Sequence, residues 1–283
     1  MSANQENWSH EIGSKHNLFS LNLSEVWEYK DLVYMLVKRD FVTSFKQTIL
    51  GPLWFFINPI FTTVMYVIVF GNVAGLSTDG APMMAFYLSG VTLWNYFSTC
   101  LNGTSNVFKG NASIFGKVYF PRLVMPLAII ISNLMRFGVQ FLLFICVITY
   151  YLLKDGSVQP NLWVLATPFL IFLMGAFAMG AGMILSSLTT KYKDFSMLIG
   201  FAVSLYMYVT PVVIPISSFP EKYKWILEIN PLTGIFECFK YAYLGVGDFS
   251  VNMLLYSTLF ITIILIIGTL IFNKVEKSFM DTV

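Results

Sequence analysis

Six apolar stretches, each long enough to cross a bilayer, constrain this chain more than any other feature. They run from Leu53 to Ala74, Met83 to Ser105, Leu123 to Leu153, Leu162 to Leu188, Phe195 to Ile214 and Val251 to Phe272. A spanning helix needs about 20 mostly apolar residues. In lipid only helices and closed barrels satisfy their own backbone groups. The pattern therefore predicts an all-α integral membrane protein with six transmembrane helices. Composition agrees: 57% of the 283 residues are hydrophobic and 11% are charged, against about 25% charged in soluble domains. Mean hydropathy is +0.71. The net charge of +2 is too small to suggest nucleic acid as a partner.

An even number of spans puts both termini on one side, and the basic residues choose the side. With the N-terminus inside, twelve of the seventeen Lys and Arg residues are cytosolic: Lys15, Lys30, Lys38, Arg39, Lys46, Lys109, Lys117, Arg122, Lys191, Lys193, Lys274 and Lys277. The outer loops hold Lys154, Lys222, Lys224 and Lys240, and Arg136 lies within the third span. The expected topology is N-in and C-in. The polar first 24 residues have no apolar core of a signal peptide and are expected to stay in the cytosol.

Before the first span, residues 22–38 read as a helix. Asn22 or Ser24 can cap it, with Glu25 at capping-box spacing from Asn22. Val26, Tyr29, Val33, Leu36 and Val37 recur at helical spacing. Such an amphipathic helix can lie in the interface plane, its apolar side in the headgroups. The stripe drifts after Lys38, which predicts a bend near Arg39-Asp40. Between the last two spans, prolines at 215, 220 and 231 divide an outer segment. Phe219 to Ile229 and Leu232 to Leu244 read there as two short amphipathic helices, re-entrant or on the outer surface.

Catalytic constellations are scarce. His10 and His16 lie in the polar tail, and no GxxxxGK[ST] loop cradles phosphate. Cys100, Cys146 and Cys238 form no CxxC or Cys/His cluster, so neither a metal site nor a disulfide framework is supported. No paired carboxylate within a span offers an ion relay. Glu221, Glu228, Glu237 and Asp248 are outer acids expected on a solvated face.

The second span is polar for a membrane helix. Ser89, Thr92, Tyr96, Thr99 and Gly103 recur at three- or four-residue spacing, beside Asn95, Ser98 and Asn102. Close helix packing and the wall of a wet pathway both account for this. Trp94, Asn95, Tyr96, Phe97, Tyr206 and Tyr208 are the candidates for a translocation path. Aromatic faces with occasional polar groups suit sugar rings. Arg136 joins them, because a charge within a span is a functional candidate by default.

Several runs carry a family resemblance. Arg39-Asp40-Phe41, Phe45-Lys46-Gln47-Thr48 and Leu50-Gly51-Pro52-Leu53-Trp54 resemble the opening of polysaccharide-exporting ABC-2 permeases. Lys117-Val118-Tyr119-Phe120-Pro121-Arg122-Leu123 with Pro126 resembles that family's entrance to the third span. Asn230-Pro231-Leu232-Thr233 and Phe272-Asn273-Lys274-Val275-Glu276 also fit. The resemblance covers the chain from about Trp27 onward. Ser44-Phe45 departs from it, standing where many members have a basic residue and Tyr. Arg136 stands where many have an acid.

The resemblance implies a homodimer of this chain bound to two separately encoded ATPase subunits. Residues 1–50 would be a cytosolic tail with an interface helix, and 51–283 the transmembrane domain. Arg39, Asp40, Lys46, Lys109, Asn111, Phe115, Lys191 and Lys193 would face the ATPase. Gly51, Pro52 and Trp54, with Pro121 and Arg122, would form the turns into the spans. ATP and magnesium would bind the partner, leaving this chain without a cofactor or metal of its own. The implied cargo is a lipid-linked glycan, such as O-antigen, capsule or teichoic acid, moved across a bacterial cytoplasmic membrane. An ABC-2 exporter of drugs or small lipids is the alternative, and a membrane-embedded glycosyltransferase-like enzyme a more distant one.

Overall fold

A computed structural model describes residues 23–44, 46, 48–115, 120–192 and 194–280. All regular structure among them is helical. Two short helices, α1 (Leu23–Glu28) and α2 (Lys30–Thr43), precede a turn at Gly51–Leu53. The first long rod is α3 (Trp54–Tyr66), continued by a π-helical stretch over Val67–Val73. Then come α4 (Met83–Ser105), α5 (Val107–Phe115), α6 (Val124–Lys154), α7 (Thr167–Lys191) and α8 (Phe195–Tyr206). The last three are α9 (Lys224–Ile229), α10 (Thr233–Leu244) and α11 (Val251–Met280).

Four helical runs among the described residues are long and apolar enough to cross a membrane: Gly51–Val73, Val124–Lys154, Leu162–Lys191 and Val251–Lys274. The other two expected spans differ. α4 has 23 residues, but its polar stripe dilutes its hydropathy. It lies at the centre of the fold, with 16 of those residues buried. α8 is shorter than the expected Phe195–Ile214. A tight turn at Met207–Val209 follows it, and Thr210 is then extended at φ −122° and ψ 144°. The cause is Pro211, whose ring clears the helical region for the residue before it.

Glycines let the long helices touch. A Cβ on Gly268 of α11 would stand 2.3 Å from the Gly180 carbonyl oxygen of α7. On the other side of α7, a Cβ on Gly182 would meet Thr104 of α4 at 2.6 Å. α3 packs loosely by comparison, with only 11% of its apolar window buried.

The N-terminal helices differ in two ways from expectation. The chain breaks at Tyr29 (φ −90°, ψ 19°) and runs helically through Arg39-Asp40, where a bend was expected. Thr43 and Ser44 end α2, their hydroxyls donating back to the Arg39 and Asp40 carbonyls at 2.6 Å each. The stripe of Val26, Leu36 and Val37 packs on Phe108, Val124, Met125 and Phe272, not into headgroups. Trp27, Tyr34 and Met35 are exposed instead. Asn22 and the side chains of Ser24 and Glu25 lie outside the described residues.

Of the two placements expected for the short helices before α11, burial excludes the surface one for α10: 11 of its 12 residues are buried. It ends at Gly245 in the left-handed conformation (φ +74°). Glu237 and Cys238 are therefore internal, and the expectation of a solvated Glu237 is corrected. Glu221, Glu228 and Asp248 are exposed. Cys100 is buried and Cys146 exposed.

Candidate coupling surface and transport path

The end of α2 meets the start of α3 and the wall of α6 at one charged side chain. Arg136 of α6 donates from Nη1 to Asn133 Oδ1 at 3.0 Å and from Nη2 to the Ser44 hydroxyl. Its guanidinium lies 5.9 Å from the Phe55 ring centroid, and Phe55 is 6.1 Å from Phe41. The Asp40 charge acts on it as well. A cation is favourable here because it stands near the negative pole of the α2 dipole. Arg136, expected on a transport path, sits where the end of α2 meets α3 and α6.

Arg39 and Asp40 form an exposed ion pair beside this joint, with Nη2 to Oδ1 at 2.7 Å. Lys46 is exposed. Gly51 (φ +51°) starts the turn into α3, with Pro52 at its second position, where its fixed φ suits a first helical turn. No atom stands within 4 Å of a Cβ built there, so the backbone conformation, not space, calls for glycine. Trp54 is exposed at the start of α3.

The two loops expected to face a partner come together. Ser196 donates to Asn106 Oδ1 at 2.6 Å, and Thr189 to the Ser105 carbonyl at 2.5 Å. α5 is kinked at Asn111 (φ −122°, ψ 16°), whose amide donates to the Val107 carbonyl at 3.0 Å. Lys109 and Lys191 are exposed. Arg122 is buried, its guanidinium 5.9 Å from the Phe108 ring centroid, and Pro121 beside it is half-buried. Lys193 and the Phe115 side chain lie outside the described residues.

The candidate path residues divide. Trp94 and Phe97 are buried, 6.0 and 6.1 Å from Tyr206 by ring centroids, and Phe97 stacks on Phe177 at 5.5 Å. Tyr96 is buried against Phe137, its hydroxyl filling the space left by Gly175. Asn95 is half-buried and donates to Gln140 of α6 at 3.4 Å. Tyr206 donates to Asn230 at 2.6 Å. Tyr208 is exposed. Within the chain Trp94, Tyr96, Phe97 and Tyr206 pack on other rings, and Tyr208 is at the edge.

A family model of the ABC-2 type transporter matches residues 31–244. The chain belongs to the ABC-2 type transporter family. The permease is 29% identical over 253 residues to the O-antigen export system permease protein RfbA of Klebsiella pneumoniae, spanning 89% of this chain and 94% of the relative. It is 24% identical over 213 residues to RfbA of Myxococcus xanthus, 75% of this chain and 79% of that protein. It is 25% identical over 203 residues to the inner membrane transport permease YadH of Escherichia coli K12, 68% and 76% respectively. A member of this family is a membrane subunit for transport without a catalytic domain. Among the described residues no three His, Cys, Asp or Glu side chains gather as a metal site.

The permease has a groove of about 920 Å³ between α6, α7 and α11. Ile130, Leu134, Ile171, Phe172, Leu265 and Ile266 line it, Val26 of α1 reaches one part and Val164 another. Its few polar groups are satisfied: Thr167 and Tyr243 bond to each other at 2.9 Å, and Thr269 donates to the Leu265 carbonyl at 2.7 Å. Such a lining suits hydrocarbon.

Sequence reasoning missed Asn133 and Gln140, named Asn230 only within a family motif, and placed Glu237 and Lys240 at the surface. Asn230 is buried and fully engaged. Its Oδ1 accepts from Tyr206 and from the Leu232 N–H at 2.9 Å, while its Nδ2 donates to the Val209 carbonyl at 2.7 Å and to Thr210 at 3.0 Å. The Asn-Pro pair at 230–231 was the available signal, since Asn ahead of Pro favours a turn.

Proposed function

We propose that this permease is the membrane subunit of an ATP-driven exporter of a lipid-linked polysaccharide in a bacterial cytoplasmic membrane. The observation that carries the proposal is the similarity, over nearly the full length of both chains, to a permease named for O-antigen export. The apolar groove supports a cargo with a hydrocarbon anchor.

In this reading α4 and α8 complete a six-span, N-in and C-in domain over 51–283, with 1–50 on the cytosolic side. The permease acts as a homodimer with two separately encoded ATPase subunits, which hold ATP and magnesium. Arg39, Asp40, Lys46, Lys109, Asn111, Phe115, Lys191 and Lys193 face them. A push on α2 reaches α6 and α3 through Arg136 and the turn at Gly51, Pro52 and Trp54, and reaches α5 and α6 beside Pro121 and Arg122. The path runs between two copies. Tyr208 borders it, and Trp94, Asn95, Tyr96, Phe97 and Tyr206 back its wall.

The test is purification of the C-terminally tagged permease from its native host in mild detergent, followed by reconstitution. The expected result is a near-equal amount of a Walker-A ATPase, lost on replacing Arg39 and Asp40 by alanine, and turnover stimulated by glycolipid. Recovery of the permease without an ATPase overturns the reading. Stimulation by short amphiphiles and not by glycolipid transfers it to an exporter of drugs or small lipids.

A further inference from the structure

Lys240 and Glu237 of α10 are each 1% exposed. Charged side chains are almost never buried this far unless paired. Lys240 Nζ donates to the Pro211 carbonyl at 2.5 Å, sits 3.9 Å over the centre of the Phe86 ring and lies 3.8 Å from Glu237 Oε1. Glu237 Oε2 accepts the Asp248 N–H at 3.0 Å. Asp79, in the connection before α4, and Asp248 add negative charge to the same region. One pair therefore joins four segments: the chain after α8, the start of α4, α10 itself and the link from α10 to α11.

The pair is poorly built for stability alone. Among the described residues Glu237 Oε1 has no hydrogen-bond partner. Lys240, with three donors, makes a single hydrogen bond. A buried ion pair repays its desolvation only when its remaining groups are hydrogen-bonded, and apolar residues of similar size often hold a fold as well or better. Position is the better explanation, and what Lys240 positions is a strap over 210–216.

The strap is non-helical where Pro211 and Pro215 interrupt it. Thr210, Val212, Val213 and Ile216 are buried. It lies directly on α4, where a Cβ on Gly90 would meet the Val212 carbonyl oxygen at 2.6 Å. Asn230 ties its first residue, and Lys240 ties the next.

We propose that Lys240 is the positioning residue that pins the strap 210–216 onto α4, with Glu237 as its counter-charge. The strap covers α4 on the outer side of the permease while the pin holds. This rests on the N-in topology proposed above, which puts the strap on the outer side.

The test places V213C in the full-length permease with its three native cysteines replaced. Spheroplasts are treated with a membrane-impermeant maleimide. K222C, exposed in the structure, reports orientation separately. If K222C labels only after permeabilisation, the topology fails and the same comparison is read from the opposite side. With Lys240 intact, V213C is expected to label slowly. In K240M it should label about tenfold faster or more, the factor expected for loss of one hydrogen bond to a charged group. K240R should restore protection. The K240M/E237Q pair keeps an acceptor for Asp248 and leaves no unpaired charge, so it serves if K240M alone fails to fold. Fast labelling in the double variant supports the pin. Slow labelling there overturns it, because charge compensation alone would then account for the pair.

Discussion

Replacing Gly268 by alanine probes the tightest seam in the permease. The new Cβ would stand 2.3 Å from the Gly180 carbonyl oxygen and 2.9 Å from the Gly180 carbonyl carbon and Cα. Carbon and carbonyl oxygen settle at about 3.3–3.6 Å, so α11 must retreat from α7 by about 1 Å. Neither neighbour can yield by a rotamer change, because the contact is backbone. Overpacking of this kind costs about 1–3 kcal/mol, and the better helix propensity of alanine returns about 1 kcal/mol. The net loss expected is up to about 2 kcal/mol. Gly138 of α6 is the control, since a Cβ there meets nothing within 4 Å and only the propensity gain remains. Thermal unfolding of the purified protein in one detergent measures both. Gly268→Ala should melt below the parent, and Gly138→Ala at or above it. Equal melting of the two variants would refute the backbone contact between α7 and α11.

Three further outcomes follow from the same geometry. Arg136→Met should leave ATP hydrolysis by the reconstituted complex running while glycan export falls about tenfold or more, as expected for loss of hydrogen bonds from a charged group; Arg136→Lys should fall between. Asn230→Ala strands four hydrogen-bonding partners around the end of α8 and should cost about 2–4 kcal/mol, read as a lower melting temperature. Gly51→Ala should cost about 1–2 kcal/mol through its positive φ alone, and Gly51→Asn should recover part of that loss in the same melting assay.

The long apolar runs made α3, α6, α7 and α11 legible, because a span must be continuous in sequence. α4 was legible as a helix, but its neighbours were not. The same hydroxyls and glycines serve a wet wall or a close contact, and Gly103 and Thr104 proved to face Ile129 and Gly182. Pro211 was visible and still underweighted: hydropathy carried the fifth span to Ile214, whereas the proline ends the helix five residues earlier. Glu237 and Lys240 were misread for a related reason. Charges on a short helix that starts just after a proline usually face water, and nothing local says that α4 and the strap cover them. Arg136 was flagged, but its partner Ser44 lies 92 residues away and leaves no periodicity to read.

Arg136 and Lys240 act alike in one respect. Each is a cation that reaches a residue just past the end of a helix in another part of the chain. Arg136 meets Ser44 just past α2, and Lys240 meets the Pro211 carbonyl beyond α8 and its tight turn. The helix ends themselves have local partners: the Thr43 and Ser44 hydroxyls donate to the Arg39 and Asp40 carbonyls of α2, while Thr210 and Asn230 donate to the Tyr206 and Val209 carbonyls at the end of α8 and its turn. What the cations add is positive charge near the negative pole of each helix and, for Lys240, a donor for a carbonyl that has already left the helix. In a low dielectric that attraction grows. The first residues after α2 and α8 are thus held partly by side chains of α6 and α10, and a substitution in either can move a segment that it does not belong to.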